Sequence, residues 1–127
     1  MPHERVLIID DDRAIAALAS LWLRAAGYEA LEAHDGCSGL AAAIAEHPSL
    51  ILLDIRMRDI DGFEVNRRLH DIPGLCDVPV FFLSAHAQES ARRQALAAGA
   101  KRFFSKPYEP SELLRAVQNT LAKGKPQ

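Results

Sequence analysis

The stretch Val6-Leu7-Ile8-Ile9-Asp10-Asp11-Asp12 sets four aliphatic residues directly before three carboxylates, and the pattern returns as Leu50-Ile51-Leu52-Leu53-Asp54. An unbroken aliphatic run that short, ended by charge, reads as a strand buried on both faces, the kind found in parallel sheets covered by helices. Working outward, strands are predicted at residues 5–10, 28–33, 50–54, 79–84 and 102–105. Between them lie longer, Ala-rich stretches. Ile15, Leu18, Ala19, Trp22 and Leu23 recur at helical spacing, as do Leu40, Ala43 and Ile44, then Leu113, Leu114, Val117 and Leu121; all are predicted to face the core. Asp61-Gly62-Phe63-Glu64 has the form of a capping box opening a helix to His70, and Gly99 marks the stop of a helix over residues 88–98.

Strands alternating with helices form right-handed βαβ units, which wind into an α/β fold. The expectation is a doubly wound five-stranded parallel sheet of order 2-1-3-4-5, flanked by five helices, and such sheets bind ligands at the carboxyl ends of their strands. Reactive residue types stand at those ends. Asp10 and Asp11 close the first strand, Asp54 the third and Ser84 the fourth, while Lys106 follows the fifth.

With 127 residues, 49% of them hydrophobic and 25% charged, the chain has the size of one domain. Residues 1–122 are assigned to it, and residues 123–127 to a short tail or the start of a linker. Fifteen Lys and Arg against seventeen Asp and Glu leave no basic footprint, which points away from direct nucleic-acid binding. Cys37 and Cys76 form no CxxC pair and read as reduced thiols. With no leader peptide and no apolar run of membrane-spanning length, a cytoplasmic protein free of the membrane is expected.

Three carboxylates gathered from neighbouring strands repel one another. At about 5 Å and an effective dielectric of about 20, each pair costs roughly 3 kcal/mol, so a cation is implied. On this basis Asp10→Asn or Asp11→Asn is expected to raise the metal-free melting temperature, provided that repulsion outweighs lost capping. Oxygen donors without Cys or His favour Mg2+, with Mn2+ as an alternative, over zinc. Asp12 directly precedes a helix and is assigned to its cap. A carboxylate nucleophile can form an acyl phosphate, and the transfer needs mainly positioning and charge neutralisation. Asp54 as acceptor, the Lys106 ammonium and the Ser84 hydroxyl would meet those needs.

These residues, together with Val80-Phe81-Phe82-Leu83-Ser84-Ala85, Ala98-Gly99-Ala100 and Lys106-Pro107, make the chain resemble the receiver domains of two-component response regulators, whose fold is flavodoxin-like and CheY-like. The resemblance implies that Asp54 is the phosphoacceptor, Asp11 a direct metal ligand, Asp10 a ligand through water and the Arg56 backbone carbonyl a further ligand. It implies that Ser84 and Lys106 contact the phosphoryl group and that the Lys106-Pro107 peptide is cis. Phe103 falls at an aromatic switch position that moves with Ser84. Arg56 and His86 occupy variable positions that tune phosphoryl lifetime.

The resemblance also implies a donor, a sensor histidine kinase or a histidine phosphotransfer protein, within a phosphorelay. The module would catalyse its own phosphorylation and dephosphorylation without being a multiple-turnover enzyme on an external substrate. Phosphorylation would switch the face of the fourth helix, fifth strand and fifth helix, read by an output domain or target protein, and a phosphorylation-linked homodimer is compatible with this. The loop after Asp54 departs from the family: Met57-Arg58-Asp59 replaces the frequent Met-Pro-Gly, which puts the loop's rigidity in question.

Three other readings use the same residues. A pseudo-receiver would keep the fold as an interaction module without phosphorylation, but it need not retain all five site residues. A small Asp-nucleophile phosphatase would want a second carboxylate two residues after Asp54, where Arg56 stands. A nucleotide-binding domain would want a glycine-rich turn where Asp11-Asp12-Arg13 stands.

Overall fold

Leu50, Ile51, Leu52 and Leu53 are fully buried on both faces of their strand, which therefore occupies the middle of the sheet. The computed structural model of the chain describes residues 4–85 and 89–123. Strands β1 (Arg5–Ile9), β2 (Glu29–Ala33), β3 (Leu50–Asp54), β4 (Val80–Ser84) and β5 (Arg102–Ser105) alternate with helices α1 (Arg13–Ala25), α2 (Gly36–Glu46), α3 (Gly62–His70), α4 (Glu89–Ala97) and α5 (Pro110–Lys123). All neighbouring strands pair in parallel. Their order is β2-β1-β3-β4-β5.

Because side chains alternate along a strand, the sheet sorts its residues into two cores. Val6, Ile8, Leu50, Leu52, Phe81, Leu83 and Phe104 pack with Ala16, Ala19 and Leu23 of α1 and Leu113 and Val117 of α5. Leu7, Ile9, Ile51, Leu53, Phe82 and Phe103 face Ala43, Val65, Leu69 and Ala95 from α2, α3 and α4. The strand bounds differ from the sequence reading by one residue at Asp10, Tyr28 and Pro79. Pro79 has no N–H to offer a ladder, although its carbonyl still accepts from Ile51 at 3.0 Å.

The predicted helix stripes need a correction. Leu18 is 48% exposed and Ile44 51% exposed, so neither faces the core. The residues of α1 that meet the sheet are Ala16, Ala19, Ser20 and Leu23, and those of α2 are Gly36, Gly39 and Ala43. Small residues mark the seam because they let the helix axis approach the sheet. A Cβ on Gly39 would lie 2.6 Å from the Ile9 side chain, so only glycine allows α2 to sit where it does. At the outer edge β2 shows Glu29 and Glu32 to solvent. Arg5 reaches across to Glu29 at 3.3 Å.

Each of the first three helices begins on an aspartate. Asp12 accepts from Ile15 N at 3.1 Å, Asp35 from Ser38 N at 2.7 Å and Asp61 from Glu64 N at 2.9 Å. Glu64 does not complete the expected capping box. Its carboxylate turns outward to Arg67 and to Arg68, the latter at 2.8 Å, and these guanidinium groups hold its pKa down at about 2. Helix α4 stops before Gly99, whose φ of +92° supplies the left-handed turn foreseen there. Cys37 and Cys76 are free and exposed. Among the described residues no helix is long and apolar enough to cross a membrane.

Candidate functional site

The register between β1 and β3 sets Ile9 beside Leu53. One residue further on, Asp10 and Asp54 therefore leave the sheet side by side. Asp10 is fully buried and Asp54 is 5% exposed; Asp11, next in the chain, is partly open to solvent. One oxygen from each of the three carboxylates lies within 4.8 Å of the others. The donors are hard oxygens alone, which suits a Mg2+ or Mn2+ ion holding some of its water.

Lys106 enters from the other side. It follows Ser105, which registers with Ser84 on β4, and its backbone N–H donates to the Ser84 carbonyl at 2.8 Å. Its side chain is only 8% exposed and places Nζ 2.6 Å from Asp10 Oδ2 and 3.4 Å from Asp54 Oδ1. The Lys106-Pro107 peptide is cis, as the resemblance implied. Three carboxylates against one ammonium leave excess negative charge, the condition under which a divalent cation binds.

The electrostatics fall hardest on Asp54. Burial first, then the neighbouring Asp10 charge, push its pKa up to about 7 against the pull of Lys106, with Asp11 adding a smaller push. Asp10 has a different setting, since its other oxygen accepts from Asp12 N at 2.9 Å. Asp12 itself caps α1, as predicted. Ser84 is buried at the end of β4. Asp11, Asp12, Ile15, Asp54, Arg56, Ala85, Lys106 and Pro107 line an open cleft of about 400 Å³, large enough for a phosphoryl group and hydrated metal. Arg56 stands exposed at its rim.

Phe103 lies apart from this cleft, 7% exposed and packed with Phe82, Ala95 and Ala100 in the second core. The tuning role expected of His86 falls outside the described residues.

Two residues near the site carry more than the sequence suggested. Among the described residues the buried Tyr108 hydroxyl finds no hydrogen-bond partner, and burial together with the Asp10 and Asp54 charges pushes its pKa up to about 12. Asp59, read only as a departure from the usual loop, accepts from Gly36 N at 2.9 Å and Cys37 N at 2.8 Å. These amides, with that of Ile60, hold its carboxyl well below the ordinary carboxylate range. The signal for Asp59 was invisible because its partners lie more than twenty positions away.

Known proteins share both sequence and shape. The sequence model described as "Response regulator receiver domain" matches residues 6–118. The DNA-binding dual master transcriptional regulator RpaA of Synechocystis sp. is 40% identical over 119 residues, covering 94% of this chain and 49% of that protein. The phosphate regulon transcriptional regulatory protein PhoB of Pseudomonas aeruginosa is 33% identical, with 99% of this chain and 55% of that protein covered. The chain thus spans about half the length of these curated relatives. Among solved structures, a putative response regulator from Chloroflexus aurantiacus superposes with a TM-score of 0.89 at 35% identity, covering 96% of this chain and 99% of the other. Chemotaxis protein CheY4 of Vibrio cholerae gives a TM-score of 0.86 at 29% identity, with 92% and 98% covered. The matched segment runs from the first strand into the last helix, and on that span this chain belongs to the response regulator receiver domain family of two-component systems.

Proposed function

We propose that this receiver domain accepts a phosphoryl group on Asp54 from a phosphohistidine donor, a sensor histidine kinase or a histidine phosphotransfer protein. The observation that supports it most is the convergence of Asp10, Asp11, Asp54 and Lys106 at one end of adjacent strands. An Asp54 carboxylate oxygen attacks phosphorus, the bond from phosphorus to the donor's imidazole nitrogen breaks, and its electron pair leaves with the imidazole. With the second nitrogen of the donor's ring already carrying a proton, the products are an acyl phosphate and a neutral histidine. Asp10, Asp11, Asp54 and the Arg56 carbonyl would hold Mg2+, which supplies charge neutralisation for the carboxylates and phosphoryl oxygens when bound.

The chain's own groups do the remainder. Lys106 is pre-positioned by Asp10, so its ammonium already points where negative charge gathers. Ser84 offers a hydroxyl donor from the end of β4, and its movement toward the phosphoryl oxygens would bias Phe103 and with it the face made by α4, β5 and α5. An output domain or target protein reads that face. The single catalytic event per donor makes the domain a self-modifying switch.

The test is incubation with Mg2+ and acetyl phosphate, read by intact mass. A gain of one phosphoryl group, abolished by Asp54→Asn and by EDTA, is the expected result. A folded protein that gains no mass, and whose spectrum does not respond to beryllium fluoride, would favour the pseudo-receiver reading instead.

A further inference from the structure

Between Asp54 and α3 the chain runs through Ile55-Arg56-Met57-Arg58-Asp59-Ile60-Asp61, without a proline that would stiffen it. The structure ties this loop down at three points. Ile55 N donates to the Leu83 carbonyl at 3.0 Å, and Gly62 N donates back to the Ile55 carbonyl at 2.7 Å. The third tie leaves the loop altogether: Asp59 spans the first two amides of α2 with its two oxygens.

This tie is charge-assisted, because unpaired amides at a helix start attract a carboxylate. It is also supported by packing. Ile60 lies so close over Gly36 that a Cβ there would stand 2.4 Å from Ile60 Cγ1. Asp35, the other carboxylate at this helix start, accepts from the next amide, that of Ser38, and belongs to the β2–α2 turn. Two caps thus share one helix end, and only one of them reaches the loop beside Asp54.

We propose that Asp59 is a positioning residue for metal binding: by clamping the loop to α2 it fixes the segment that presents the Arg56 carbonyl to the acidic cluster. This rests on the phosphoacceptor reading, which assigns that carbonyl to the metal. The clamp does the work that a proline in the loop would do, through a contact to a neighbouring helix instead of through backbone restriction.

Asp35→Ala and Asp59→Ala each remove a cap from α2, so loss of helix stability affects both. Calorimetric titration of the full chain with MgCl2 separates them. Asp59→Ala should weaken Mg2+ binding about tenfold, the usual scale for losing an outer support of a metal site, while Asp35→Ala leaves it within about twofold. Asp59→Asn, keeping one accepting oxygen, should recover part of the loss and serves if the alanine variant does not fold. In EDTA, amide exchange at residues 56–58 should quicken in Asp59→Ala and not in Asp35→Ala. Unchanged Mg2+ affinity in Asp59→Ala, or an equal loss in both variants, overturns the inference while leaving the phosphoacceptor reading standing. Absence of Mg2+ binding by the unaltered chain overturns both.

Discussion

Asp54 is buried beside two like charges, and without a divalent cation that placement weakens the fold. Its pKa in the folded chain, about 7, lies above the ordinary 3.8, so the folded state keeps a proton that the unfolded state releases. Stability from this group therefore falls as pH rises between those two values, with a full penalty on the order of a few kcal/mol above them. Asp54→Asn in EDTA should raise the melting temperature at about pH 8 and leave it little changed at about pH 4. Thermal melts by circular dichroism check this, and a lower melting temperature at the higher pH would contradict it. For Asp10 the contacts argue for the opposite outcome to the one expected from repulsion alone. Its ion pair with Lys106 and its bond from Asp12 N mean that Asp10→Asn breaks a buried pair, a loss of about 3 kcal/mol measurable by urea unfolding. The half-open Asp11 keeps the original expectation. At the cleft rim, Arg56→Ala should speed loss of the phosphoryl group by admitting water, as followed by the decay of the phosphorylated mass; equal or slower decay would refute the shielding role.

The helices show which local signals the sequence carried. Aspartate caps at Asp12 and Asp61 were legible because a cap and its amide lie three residues apart. Helix seams were misplaced at Leu18 and Ile44 because periodicity weighs large apolar residues, whereas the sheet is met by alanine and glycine. Long-range ties such as Asp59 to α2, or the buried Asn66 donating to the Ala98 carbonyl at 3.0 Å, leave no trace in nearby residues. Helix α3 also depends on one small residue: a Cβ on Gly62 would lie 2.4 Å from the Asp54 carbonyl oxygen. Gly62→Ala should push α3 away from the acceptor strand, costing about 1–3 kcal/mol and slowing acetyl phosphate labelling. Stability and labelling rate measured on one preparation test both effects.

For the molecule as a whole, the strand ends were the most readable feature. Short aliphatic runs ended by Asp, Ser or Lys located the site because a parallel sheet brings those ends together whatever the loops do. A ligand that binds only the folded chain stabilises it by mass action, by about 2.7 kcal/mol at a hundred times its dissociation constant. The melting temperature should therefore climb with the logarithm of Mg2+ concentration, and Asp11→Asn should flatten the curve. An equally steep curve in that variant would show that Mg2+ acts elsewhere. The outer border of the sheet has its own consequence. With Glu29 and Glu32 displayed on β2, and Arg102 on the four-residue β5, a second copy adding itself strand to strand would bring like charges into contact along an open ladder. The charges at its two edges make the sheet resist being extended into a fibre.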